Sequence, residues 1–174
     1  MKIFTDGGCL RNGKYNSVGS YGIKFEDKKF KFAEINGLLR HNNYELKDNK
    51  LSYGKVEIHP TNVRAELFAI ILALFMVKLH KGNEVIEIVT DSEFSINVCT
   101  KWITNWQLNN FNGKKNPDLL AILFDLLNYH DVHFIHVNSH TKGTSENEVG
   151  NAYVDDLANK ALKFTDYKMQ YILN

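Results

Sequence analysis

Val85-Ile86-Glu87-Ile88-Val89-Thr90-Asp91-Ser92 reads as a short apolar strand that closes on an acid and passes at once into a helix. Upstream, Val63–His80 has helical character, with an N-cap candidate in Pro60-Thr61-Asn62 and a basic last turn with a C′ glycine at Lys81-Gly82. Downstream come a helix over Ser92–Trp106, a polar loop to Pro117, a helix over Asp118–Tyr129 and a strand at Val132–Val137. A loop over Asn138–Val149 and a helix from about Gly150 to Phe164 complete the chain. Strands joined by helical crossovers lie parallel. The first 36 residues are instead strand-like: Lys2–Cys9, which stops at Gly7-Gly8, then Ser20–Glu26 and Lys29–Asn36 alternating around Asp27-Lys28 as a hairpin does. The expected architecture is α/β, a five-stranded mixed sheet of antiparallel hairpin strands plus parallel strands, flanked by helices. Residues 1–174 are read as one domain with a surface excursion at about 37–58, where Tyr44–Leu46 and Lys55–His59 suggest a second small hairpin.

Composition narrows the function classes. The 174 residues are 44% hydrophobic and 24% charged, which suits a globular core and excludes disordered or fibrous structure. The longest uninterrupted apolar run, Leu67–Val77, falls well short of the roughly 18 residues of a membrane span, so no membrane partner is expected. Cys9 and Cys99 have neither disulfide-framework nor zinc spacing, and Asp6 interrupts any apolar leader. A cytoplasmic location and a monomer follow as expectations. A net charge of +1 excludes a globally basic nucleic-acid binder but leaves room for a local patch.

Four carboxylates stand out. Asp6 ends a strand before two glycines, and Asp91 ends another before a helix. Taken singly, an Asp-Gly turn and a helix N-cap account for them. Glu66 is harder to explain, since its neighbours at three, four and seven residues are Ala69, Ile70 and Ala73, and no Lys or Arg lies at i±3 or i±4. A carboxylate there lines a cleft, binds a cation, has a raised pKa or meets a distant structural partner. Asp156 has Lys160 at i+4 and reads as a solvated pair, whereas Asp155 borders the apolar stripe Val154, Leu157, Ala161. Acids converging at strand ends without a Cys or His cluster select hard cations, Mg²⁺ or Mn²⁺, which suit phosphoryl chemistry.

At these residues the chain resembles a known family. Ile3-Phe4-Thr5-Asp6-Gly7-Gly8-Cys9-Leu10, Thr61-Asn62-Val63-Arg64-Ala65-Glu66-Leu67, Thr90-Asp91-Ser92, His136-Val137-Asn138-Ser139-His140 and Gly150-Asn151-Ala152-Tyr153-Val154-Asp155 are similar, in order, to segments of type 1 ribonuclease H. The resemblance implies the ribonuclease H-like fold and endonucleolytic hydrolysis of the RNA strand of RNA–DNA hybrids, leaving 5′-phosphate and 3′-hydroxyl ends. It implies two Mg²⁺ per site, with Mn²⁺ a possible substitute, held by Asp6, Glu66, Asp91 and Asp155, and a catalytic role for His140 in product or metal release. Asn12, Thr61 and Asn62 resemble substrate contacts, and Asn116 resembles the other wall of a phosphate pocket. Phe94, Trp102 and Trp106 fall where eukaryotic members hold the DNA strand. By spacing alone, Phe94, Val98, Trp102 and Trp106 form a helical stripe that would equally serve as plain core.

The sequence also departs from the family pattern. Ser139 stands where glycine is usual, and the loop from His140 to Asp155 is long and carries Glu146 and Glu148. His59 occupies the place of an arginine of the phosphate pocket, and Lys114 and Lys115 are the only charges of a shortened basic protrusion at Gln107–Pro117. Weak hybrid binding is therefore expected. The excursion holds Arg40, His41, Lys47, Lys50 and Lys55, either a solvated loop or a substrate handle. Competing functions are another nuclease on the same fold, such as a junction resolvase or a reverse-transcriptase-derived domain, and a catalytically silent hybrid-binding module. Clustered negative charge near phosphates speaks against the last.

Overall fold

The computed structural model describes the chain except residues 28–29, 31–32, 81–83 and 173–174, with α5 side chains described through Lys163. Lys28 of the expected hairpin turn and the expected helix stop at Lys81-Gly82 lie outside the described residues. The strands are β1 Lys2–Leu10, β2 Val18–Phe25, β3 Glu34–Leu38, β4 Asn42–Lys47, β5 Lys50–Glu57, β6 Ile86–Thr90 and β7 Val132–His136. The helices are α1 Asn62–Leu79, α2 Glu93–Asn97, α3 Ile103–Gln107, α4 Pro117–Tyr129 and α5 Glu146–Ile172. No helix among the described residues is long and apolar enough to cross a membrane.

The five-stranded sheet has the order β3-β2-β1-β6-β7. Its β1–β2 and β2–β3 pairs are antiparallel, and β1–β6 and β6–β7 are parallel, as the crossovers demand. On one face Ile3, Ile23 and Ile88 pack with α1 and α4; on the other Phe4 and Val89 pack with Val154 and Leu157 of α5. One detail of register makes the cleft. β1 pairs with β6 only over Lys2–Phe4, whereas its pairing with β2 runs on to Leu10. Asp6 thus sits inside a strand, at the point where β1 and β6 part, and not in an Asp-Gly turn.

Two glycines bring helices close to that point. A Cβ on Gly7 would collide with the backbone of Ala65 and Glu66, so α1 lies directly against β1 beside Asp6. Gly22, the cross-strand partner of Asp6, likewise leaves no room between β2 and the Val154 carbonyl of α5.

The structure refines four readings. The helix expected over Ser92–Trp106 is broken by a π turn, Val98–Trp102, in which the Ile103 N–H donates to the Val98 carbonyl. That wider turn disrupts the spacing-of-four stripe, leaving Val98 buried and Phe94 44% exposed. α1 is buried nearly all round, not along one stripe, because α4 and the β4–β5 hairpin cover the side away from the sheet. The hairpin itself forms a separate two-stranded sheet. Its turn residues Asp48 and Asn49 have φ of 52° and 57°, the left-handed pair that a two-residue hairpin loop requires. It is not a loose excursion: Tyr44 is buried against Phe68 of α1, with ring centroids 4.4 Å apart. Finally, α5 starts four residues before Gly150. Ser145 and Glu148 form a reciprocal capping box: the Glu148 N–H donates to Ser145 Oγ at 3.3 Å, and the Ser145 N–H to Glu148 Oε2 at 3.2 Å.

Candidate active site

Asp6 from β1, Glu66 from α1, Asp91 after β6, His140 from the β7–α5 loop and Asp155 from α5 line one open cleft of about 360 Å³. Asp6, Glu66 and Asp91 each offer a carboxylate oxygen within 4.8 Å of the others. No Lys or Arg is among the residues lining the cleft. Burial, then the charge of Asp91, pushes Asp6 up to about 8. Burial and the charges of Asp6 and Asp91 hold Glu66 well above the usual carboxylate range, opposed by a hydrogen bond from the Gly7 N–H. Glu66 Oε2 is fully enclosed and has no hydrogen-bond partner. An all-oxygen donor set, crowded, enclosed and short of positive charge, fits a hard divalent cation.

Asp91 is free for such a role because Ser92 caps α2, its Oγ accepting from the Ser95 N–H at 3.2 Å. Asn151 holds it in place: buried on α5 one turn before Asp155, it donates from Nδ2 to Asp91 Oδ2 at 3.2 Å. Asn151 was legible only as part of a motif; its target lies 60 residues earlier, beyond any local spacing rule. His140 is exposed, with φ of 54°. Among the described residues the extra loop acids are not in the group of oxygens within 4.8 Å, although Glu148 lines a small hollow with Asp91, His140 and Asp155. Glu148 also accepts from Thr141 Oγ1 at 3.2 Å, and these hydroxyl and amide bonds lower its pKa; Glu146 faces Lys2 at 3.6 Å. Asp156 forms its expected pair with Lys160 at 3.0 Å.

Beside the cleft, across Asn62 and Val63, runs a groove of about 510 Å³. Asn12, Thr61, Asn62, Phe94, Trp106 and Asn116 all line it, together with Lys114 and Lys115. Asn12 Oδ1 accepts from the Asn62 N–H at 3.0 Å, and Thr61 Oγ1 caps α1 by accepting from the Arg64 N–H at 3.1 Å. Trp102 does not line the groove; it packs between Phe94 and Trp106, 5.6 Å from each ring centroid, and against the core. Trp102 and Trp106 thus pack in part against the core, while Phe94 and Trp106 line the groove.

The groove wall rests on a buried ion pair that sequence spacing does not reveal. Arg64 is fully buried and donates to both oxygens of Asp118, at 2.8 and 2.6 Å. Burial pushes Asp118 up, but the Arg64 bonds and the Tyr44 N–H, at 2.8 Å, outweigh it and hold its carboxyl below the usual range. Arg64 also reaches the Asn42 carbonyl and Asn116 Oδ1, each at 3.3 Å. With its Oδ1 engaged, Asn116 keeps Nδ2 free to donate.

Carboxylates clustered where β1 and β6 part, beside an amide- and lysine-lined groove, define the class: a hydrolase of the nuclease type. The RNase H family model matches residues 1–163, and the chain belongs to that family. It is 34% identical over 166 residues to a Ribonuclease H of Clostridium botulinum, covering 92% of this chain and 93% of the relative. It is 33% identical over 165 residues to the Ribonuclease HI of Haemophilus influenzae strain KW20, covering 92% and 88%. In fold it is similar to the PFV RNase H domain in solution (TM-score 0.62, 20% identity, 92% of each chain). It is also similar to the foamy viral protease-reverse transcriptase solved with an RNA/DNA hybrid (TM-score 0.66, 20% identity, 92% of this chain and 19% of that one). A third likeness is to LC9-RNase H1, described as a type 1 RNase H with the type 2 active-site motif (TM-score 0.60, 19% identity, 92% and 72%).

Proposed function

We propose that the protein is an endonuclease that hydrolyses the RNA strand of RNA–DNA hybrids, leaving 5′-phosphate and 3′-hydroxyl ends. The observation that carries the reading is the crowded Asp6–Glu66–Asp91 cluster, with no Lys or Arg among the described residues lining its cleft. The names of the curated relatives and the hybrid bound to the foamy viral enzyme support the substrate.

Asp6, Glu66, Asp91 and Asp155 would hold two Mg²⁺ ions, Mn²⁺ serving in their place. Such ions, when bound, supply an activated water and neutralise charge on the leaving 3′-oxygen. The chain's own groups do the rest. Asn151 keeps Asp91 oriented. His140, exposed at the rim of the cleft, helps the product leave. Asn12, Thr61 and Asn62 hydrogen-bond the hybrid across its shallow groove, where 2′-hydroxyls distinguish RNA from DNA. Asn116 Nδ2 and Thr61 take a phosphate of the DNA strand, and Phe94 and Trp106, backed by Trp102, pack on its sugars.

Labelled hybrid, duplex RNA and duplex DNA incubated with Mg²⁺, Mn²⁺ or EDTA, alongside Asp91→Asn, test this. Metal-dependent cutting confined to the RNA strand of the hybrid, and lost in the variant, is the expected result. Cutting of duplex DNA at a similar rate would overturn the substrate assignment, and hybrid binding without any cutting would favour a binding module.

A further inference from the structure

The turn that brings Asn12 and Gly13 to the candidate groove runs on to a second hollow at Asn16 and Ser17. This one, about 730 Å³ and open, lies between the Asn16–Val18 turn, the end of β3 and the start of β4. Pro60, next in the chain to Thr61 of the groove, contacts Ser17 of the hollow. Its carbonyl accepts from Ser17 Oγ at 2.7 Å, and a Cβ on Gly19 would meet Pro60 at 2.7 Å and Leu39 at 3.5 Å, so strand, proline and hollow floor are in direct contact. Val18, Leu38 and Leu39 supply apolar lining, Arg40 a cation and His41 an imidazole, and no carboxylate is among the described residues lining the hollow.

The side chains at its edge are held in place by the inserted hairpin. The Arg40 N–H donates to the Tyr44 hydroxyl at 2.8 Å, and the exposed Arg40 guanidinium lies over the Tyr53 ring, 4.8 Å from its centroid. The His41 ring meets His59 edge-on at 5.9 Å, and His59 faces Glu57 at 3.8 Å. Tyr53 is half exposed and Tyr15, on the neighbouring turn, is almost wholly so. Cations, exposed aromatic faces and apolar lining free of carboxylates form the combination that grips a nucleic-acid strand without reading its sequence.

We propose that this hollow receives the DNA strand of the hybrid where that strand leaves the groove. Arg40 and His41 would meet its phosphates, and Tyr53 or Tyr15 a base. The proposal rests on the hybrid reading above. Position selects the strand. Asn62 and Val63 border both the carboxylate cleft and the groove, placing the cut strand over the acids and the uncut strand over the groove. The hollow shares no lining residue with the cleft or the groove, but one turn borders groove and hollow alike, at Asn12 and Gly13 and at Asn16 and Ser17, and contributes nothing to the cleft.

The test compares a short flush hybrid with hybrids extended by about ten nucleotides on the DNA strand alone, at either end, or on the RNA strand alone. Wild-type protein should cut one DNA-extended hybrid with KM about three- to tenfold lower than the flush one at equal kcat, and gain nothing from the RNA extension. Arg40→Glu should erase that gain while leaving kcat and KM on the flush hybrid unchanged. Arg40→Ala should reduce the slope of log KM against log salt for the extended substrate by about one phosphate contact. Equal gain from the RNA extension, no gain from either DNA extension, or an Arg40→Glu effect equal on flush and extended hybrids would overturn the proposal. Anisotropy titrations of the same duplexes in EDTA read the hollow without cutting. Extension-dependent binding in a protein that cuts nothing would refute the nuclease reading and uphold the hollow, whereas cutting without extension dependence would do the reverse.

Discussion

Arg64 and Glu66 stand two residues apart on α1, and their surroundings are opposite. The Arg64 side chain is wholly out of water, yet both oxygens of Asp118 meet it and Asn42 and Asn116 also accept from it, with Nε alone left without a partner. Glu66 meets two further carboxylates and leaves Oε2 without a partner. Both are charges in a poor solvent. The first region balances its charge internally and therefore holds structure; the second leaves its balance to something that binds. One helix thus carries a structural joint and, two residues on, a reactive demand.

The contrast is broken most severely by Asp91→Asn. Cutting of hybrid should fall about a thousandfold or more, while the metal-free protein keeps or gains thermal stability because one like charge is gone. Loss of activity with an equally large loss of Tm would mean that the cluster is structural. At the other region, Asp118→Ala leaves Arg64 buried and unpaired and should cost about 3–5 kcal/mol in urea denaturation. A cost under about 1 kcal/mol would show that water reaches Arg64.

The two regions should also respond to pH in opposite directions. Asp6 has a folded value of about 8 against an ordinary 3.8, so the stability it confers is full below the ordinary value and lost as pH rises toward 8. In EDTA, Tm should therefore fall between about pH 5 and 8, and Mg²⁺ should cancel the fall. Asp118, held below 3.8, contributes above that value and loses its contribution as pH drops through its lowered folded value, so Asp118→Asn should flatten the acid limb only. A smaller effect is expected from Asn151→Ala, roughly ten- to a hundredfold in the Mg²⁺ concentration needed for half-maximal cutting, with little change in hybrid KM. Tyr44→Phe is smallest: loss of the hydroxyl that accepts from the Arg40 N–H should cost about 1 kcal/mol and leave flush-hybrid cutting intact.

Of the carboxylates only Glu66 breaks a local rule, standing on a helix with no cation at i±3 or i±4; Asp6 and Asp91, which a turn and a cap explain singly, stood out only as part of a set. The order of strands and helices was legible from hydrophobic period and crossover logic. The Arg64–Asp118 pair was not, since its members are 54 residues apart and Arg64 looks like any helical arginine until α4 packs on α1. The π turn was equally hidden: Val98–Trp102 satisfies a helical pattern, and only the packing around it shows the wider turn. The start of α5 differs again. Ser145 and Glu148 spell a capping box, but the polar loop before them masked it. The hairpin strands were faintly visible, whereas the anchoring of Tyr44 against Phe68 belongs to tertiary structure alone.

The contact at Gly7 bears on how this protein can change over generations. Where side chains mesh, one substitution can be offset by another, so the packing of Ile70, Ala73 or Leu74 is free to drift. At Gly7 two main chains touch, and no neighbour can give way to admit even one carbon. The spacing of Asp6 and Glu66 is therefore inherited through an atom that is missing, and the core around it can be rewritten while that gap persists.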